Sequence, residues 1–144
     1  MTVSLEKATL PGQAPPRGGE NILVVEDEPV LRRTVGQILE MLGYKVSCVE
    51  NGLEALEFYW DQDEEIDLIL SDIAMPEMGG LELRKELDEE GAPVPVLLTS
   101  GLCITQLQLL EGWDSSRPFL EKPWDLETLA QSVRRLLDQA PSRA

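Results

Sequence analysis

The sequence predicts an α/β fold, a parallel sheet covered by helices on both faces, and three observations carry that prediction. Five short apolar runs, at residues 22–25, 44–49, 68–72, 93–99 and 117–121, alternate with five stretches whose apolar residues recur at helical spacing. The runs are apolar without a polar alternate row, which suits strands buried on both faces. A strand, helix, strand alternation of this kind pairs its strands in parallel. At 144 residues, with 42% hydrophobic and 27% charged, the chain is long enough for one domain with a core.

In chain order, residues 1–20 differ in composition. Pro11, Gly12, Pro15, Pro16, Gly18 and Gly19 crowd together and predict a linker or disordered tail, preceded by a possible strand stub at Val3 and Leu5. The folded domain is expected over 21–140, with a tail at 141–144. The first strand closes on Glu26, Asp27 and Glu28, and Pro29 suits the first turn of a helix. Leu31, Val35, Ile38, Leu39 and Leu42 mark the buried face of that helix and Gly43 its end. After the second strand, Asn51 and Gly52 turn into a helix whose face is expected at Leu53, Leu56 and Tyr59 or Trp60.

The third strand, LILSD, runs into a turn of Pro76, Gly79 and Gly80. Leu83 and Leu87 set the third helix, with Glu82, Arg84, Lys85, Glu86 and Asp88 expected in water. The fourth strand ends at Thr99, Ser100 and Gly101, and a short helix is expected around Ile104, Leu107 and Leu109 or Leu110. Lys122 and Pro123 follow the fifth strand. Asp125 caps a last helix with a core stripe of Leu126, Leu129, Val133, Leu136 and Leu137.

Composition excludes several function classes. With 27 acidic residues against 12 basic ones, a net charge of −15 repels nucleic acid and anionic membranes. No apolar run reaches the roughly 20 residues of a membrane span, and no signal peptide is evident, so a cytoplasmic location is expected. Cys48 and Cys103 sit in apolar contexts without paired spacing and are expected as buried free thiols. The chain has no histidine, which removes imidazole general bases and phosphohistidine on this chain.

In an open α/β sheet, ligands bind beyond the carboxyl ends of the strands. Glu26, Asp27, Asp72, Ser100 and Lys122 all stand at such ends. Singly, an acidic pair reads equally as a helix cap, the serine as a cap and the lysine as surface. Together they crowd three carboxylates that repel unless a cation or proton neutralises them. Magnesium suits such a set, because it takes few carboxylates and keeps water or substrate oxygens. A hydroxyl and an ammonium beside it suit a phosphoryl group, and an aspartate can itself become an aspartyl phosphate. Neither a GxxxxGK[ST] loop nor a GxGxxG turn is present.

The order EDE, DIAMPEMGG, TSG and FLEKPW resembles the receiver domain of two-component response regulators over residues 21–139. The resemblance implies a doubly wound, flavodoxin-like three-layer sandwich with strand order 2-1-3-4-5. It implies Asp72 as phosphoacceptor, Glu26, Asp27, Asp72 and the Ala74 backbone carbonyl as holders of Mg2+, and Ser100 and Lys122 as phosphoryl contacts. Pro123 falls on the family's cis-proline position. Ser100 and Phe119 fall on its switch pair, although Phe119 also reads as plain core. The implied partners are a histidine kinase or histidine phosphotransfer domain, and a downstream protein on the face of the fourth helix, fifth strand and fifth helix. Monomer or weak dimer is expected. Residues TVSLEKATLP before the linker resemble the end of a histidine-kinase ATP-binding domain, which implies the C-terminal receiver of a hybrid sensor kinase. The alternative is a phosphorylation-independent interaction module of the same fold. Trp124 reads as packing, or as a docking anchor beside the site.

Overall fold

The computed structural model describes residues 14–61 and 65–140. The N-terminal stub and the kinase-like segment fall outside these residues. Ten elements follow the expected alternation: β1 (Asn21–Val25), α1 (Pro29–Met41), β2 (Lys45–Val49), α2 (Gly52–Asp61), β3 (Leu68–Asp72), α3 (Gly80–Glu89), β4 (Val96–Ser100), α4 (Ile104–Gln108), β5 (Phe119–Glu121) and α5 (Leu126–Gln139). The strands form one parallel sheet in the order β2-β1-β3-β4-β5. This is the doubly wound topology that the resemblance implied.

Alternate residues of the buried strands feed two separate cores. Ile22, Val24, Leu68, Leu70, Leu97 and Leu120 face α1 and α5, where Val35, Leu39, Leu129 and Val133 cover them. Leu23, Val25, Ile69, Val96 and Leu98 face α2, α3 and α4, through Ala55, Leu83, Leu87 and Leu107. Three layers result, and the central strands β1, β3 and β4 are buried on both faces.

The helix boundaries follow local chemistry. Glu28 caps α1 by accepting from the Leu31 amide at 2.7 Å, with Pro29 in the first turn. Asp125 caps α5 by accepting from the Thr128 amide at 2.8 Å. Gly43 ends the first helix unit at φ +101°, a conformation an L side chain rarely adopts, and its Cα lies against the Gly18 carbonyl.

Several expectations are corrected. Cys48 and Cys103 are exposed, because β2 is an edge strand and Cys103 precedes α4 on the surface. In α2, Leu56 and Tyr59 pack on the core as expected, while Leu53 and Trp60 are exposed; the fully buried contacts are Gly52, whose backbone approaches the turn at Met78, and Ala55. Leu126, Ile104 and Leu109 are exposed, and α5 packs through Leu129, Ala130 and Val133. The fifth strand is shorter than expected, because Arg117 leaves the sheet to pair with Asp88 at 2.9 Å. Arg84 is buried rather than solvated: α3 turns it under the loop after α4, where it donates to the Gly112 carbonyl at 3.2 Å.

Residues 17–20 lie against the fold. The Gly18 amide donates to the Leu42 carbonyl at 3.1 Å, and the Lys45 amide donates to the Glu20 carbonyl at 3.0 Å. From α5, Arg134 donates to the Arg17 carbonyl at 3.2 Å and pairs with Glu20 at 2.6 Å. That guanidinium holds the Glu20 carboxyl below its ordinary value of 4.5. A carboxyl with a lowered folded pKa contributes stability above its unfolded value and loses it as the pH falls through the folded one. Glu20→Gln should therefore cost about 0.5–1 kcal/mol in urea unfolding at pH 7. The difference from wild type should shrink steadily as the pH is lowered from 5 towards 3.

Candidate functional site

Strand register explains how the site assembles. Glu26, Asp72 and Lys122 continue the rows of Val24, Leu70 and Leu120, the residues that face α1 and α5. Val24 is paired with Leu70, and Asp72 with Thr99, so these rows reach the same sheet edge side by side. Carboxylate oxygens of Glu26, Asp27 and Asp72 lie within 4.8 Å of one another. Lys122 Nζ stands 3.5 Å from Asp72 Oδ1 and 3.6 Å from Glu26 Oε1. One ammonium thus serves two of three carboxylates.

Burial sharpens the crowding. Glu26 is only 5% exposed and Asp72 is half-buried, while Asp27 reaches solvent. Loss of water pushes the Asp72 carboxyl above its ordinary range, against the pull of Lys122. Glu26 is pushed up by burial as well, opposed by the Glu28 amide and aided by repulsion from Asp72. Two carboxylates costly to charge, beside a third that is open to solvent, form a donor set that a hard divalent cation would satisfy.

The turn after β3 is built by glycine. A side chain at Gly79 would strike the Ile73 carbonyl, and one at Gly80 would strike the Asp72 carbonyl and come within 2.8 Å of Leu98. The Gly80 amide donates to Ile73 at 2.9 Å, closing the loop back under Asp72. Ala74 sits exposed on that loop, two residues past Asp72. The Asp72 Oδ1 atom also accepts from the Ile73 amide at 3.0 Å.

Ser100 ends β4 one residue beyond Thr99, the register partner of Asp72. It is 4% exposed and its hydroxyl accepts from the Leu102 amide at 3.0 Å, leaving its own proton to donate. The Lys122 amide donates to the Ser100 carbonyl at 2.9 Å, and the Lys122–Pro123 bond is cis, as the resemblance implied. Phe119 lies on the opposite sheet face with Leu98, half-buried and edge-on to Trp113 at 5.1 Å between ring centres. Trp124 packs into the α1/α5 core and donates to Thr99 Oγ1 at 3.2 Å.

Sequence reasoning missed Arg32, whose guanidinium donates to the Glu26 carbonyl at 2.9 Å and stands 4.0 Å from Glu50. A cation near the start of a helix opposes the helix dipole, and that misfit was the available signal.

The family model for the response regulator receiver domain matches residues 22–134. The chain belongs to this family. The sensor kinase CckA of Brucella abortus is 33% identical over 122 residues, which are 85% of this chain and 13% of that protein. The response regulator receiver protein CpdR of the same organism is 31% identical over 118 residues, 82% of this chain and 97% of CpdR. This receiver therefore spans a small fraction of CckA and nearly all of CpdR. Among solved structures, the receiver domain of sensor histidine kinase PA1611 from Pseudomonas aeruginosa, with a magnesium ion in its active site cleft, aligns with TM-score 0.75 at 26% identity. That alignment covers 85% of this chain and 100% of the other. Among the described residues, no helix is long and apolar enough to cross a membrane.

If the glycine turn sets the position of Asp72, Gly80→Ala should cost about 1–3 kcal/mol in urea unfolding, the range for an overpacked core. Gly101→Ala, with open space around its Cα, should cost far less.

Proposed function

We propose that this receiver is a magnesium-dependent phosphoacceptor in a two-component phosphorelay, taking a phosphoryl group onto Asp72. The observation that carries the reading is the convergence of Glu26, Asp27 and Asp72 within 4.8 Å, with Lys122 at 3.5 Å from Asp72. Glu26, Asp27, Asp72 and the Ala74 carbonyl would hold Mg2+, which when bound offsets charge on phosphoryl oxygens.

The chain's own groups then divide the work. An Asp72 oxygen attacks phosphorus of a phosphohistidine in line; the new P–O bond forms as the P–N bond breaks and the imidazole leaves with the electron pair. Lys122 meets charge on the transferred oxygens, and the Ser100 hydroxyl donates to one of them. Small acyl phosphates serve in place of the kinase, and water later restores the carboxylate. The domain is thus a switch that is modified and reset, with no external substrate to turn over.

Signalling follows from the switch pair. Ser100 drawn towards the phosphoryl group vacates space on the face that holds Phe119, and Phe119 turns inward, changing the surface of α4, β5 and α5. Its edge contact with Trp113 would be broken or remade in that motion. The donor is a histidine kinase or phosphotransfer domain. The likeness to a stretch of the sensor kinase CckA, with the kinase-like residues before the linker, supports a place in or beside a hybrid sensor kinase.

Incubation with Mg2+ and acetyl phosphate should add one phosphoryl mass to the intact protein, and Asp72→Ala should abolish the addition. Asp27→Asn should weaken Mg2+ binding at least tenfold, read from tryptophan fluorescence, because it removes the solvent-facing carboxylate. An unchanged mass in wild type would remove the phosphoacceptor reading and favour the phosphorylation-independent module.

A further inference from the structure

Behind Asp72, on the α1/α5 side of the sheet, lies a cavity of about 10 Å3, the room of roughly one water molecule. Its polar wall is Glu26, Asp72, Thr99 and Lys122; Trp124 and aliphatic side chains line the rest. The indole N–H of Trp124 donates to Thr99 Oγ1 at 3.2 Å. Thr99 is 4% exposed and sits beside Asp72 in the β3–β4 register. Trp124 follows Lys122 with only Pro123 between them.

We infer that Trp124 is a positioning residue for phosphoryl transfer: its bond to Thr99 braces the loop carrying Lys122 against the end of β4. Two ties then hold the Lys122 loop. One is the Lys122 amide on the Ser100 carbonyl at 2.9 Å, and the other is the indole on the Thr99 hydroxyl. The second tie uses a side chain on the face opposite Ser100 and Phe119, so it fixes the lysine without obstructing the switch pair. Trp124 is half-buried, and a partly desolvated indole N–H gains from an acceptor within reach. The pairing of Trp124 with a buried threonine hydroxyl places both groups where they serve the site. The inference rests on the phosphoacceptor reading for its kinetic consequence, but not for the brace itself.

The brace separates from general packing through Thr99. Thr99→Val keeps the shape and removes the acceptor, Thr99→Ser keeps the acceptor, and Trp124→Phe keeps a ring and removes the donor. In the full chain with acetyl phosphate at saturating Mg2+, Thr99→Val and Trp124→Phe should slow phosphoryl addition about fivefold, the worth of one hydrogen bond. Thr99→Ser should stay near wild type, and half-saturating Mg2+ should not change in any of the three. Without phosphodonor, NMR exchange of the Lys122 amide should quicken about fivefold in Thr99→Val and Trp124→Phe alone. Wild-type exchange in both of these variants, or equal slowing of phosphoryl addition in Thr99→Ser and Thr99→Val, would overturn the inference. Failure of wild type to take a phosphoryl group would remove the parent reading, and the amide exchange would still decide the brace.

Discussion

The structure depends on a repulsion that it does not relieve with its own charges. Three carboxylates meet at one sheet edge, two of them stripped of much of their water, and a single lysine stands against two. Such an arrangement lowers stability unless a further positive charge arrives. The parallel sheet supports that cost, because its central strands β1, β3 and β4 are buried on both faces and end in register at this point. The core supplies the stability that lets the edge carry an acidic cluster of the kind a divalent cation would satisfy.

The same geometry divides labour between the two faces of the sheet. Glu26, Asp72, Thr99 and Lys122 extend rows that face α1 and α5, while Ser100 and Phe119 extend rows that face α4. In the proposed mechanism Ser100 would move on the face that holds Phe119 and Trp113, whereas Thr99, one residue away, is tied to Trp124. Alternation along a single strand places these two neighbours on opposite faces of the sheet.

Much of this was legible in the sequence, for reasons that are physical. Strands buried on both faces read as unbroken apolar runs, so β1, β3 and β4 were visible with their carboxyl ends. Charged or hydroxyl residues closing such runs are conspicuous, which made Glu26, Asp72, Ser100 and Lys122 identifiable before any geometry. Helical faces were less legible where glycine or alanine makes the contact: α2 packs Leu56 and Tyr59 on the core as read, but its fully buried residues are Gly52 and Ala55, and Leu53 and Trp60 face water. Arg84 misled because a charged residue on α3 reads as surface, yet the loop after α4 folds over it and accepts its hydrogen bond. The Trp124 bond to Thr99 depends on which side chains meet in space, and no local pattern encodes that; for Arg32 the only local signal was a cation near the start of a helix.

The central claim is that Asp72, among three crowded acids, is the one that is modified. Borohydride reduction of the acetyl phosphate-treated protein converts an acyl phosphate to the corresponding alcohol, and peptide mapping by mass spectrometry then names the residue. The account predicts homoserine at position 72 and nowhere else, formed only when Mg2+ is present. Homoserine at position 27, or none at any acidic residue, would contradict it.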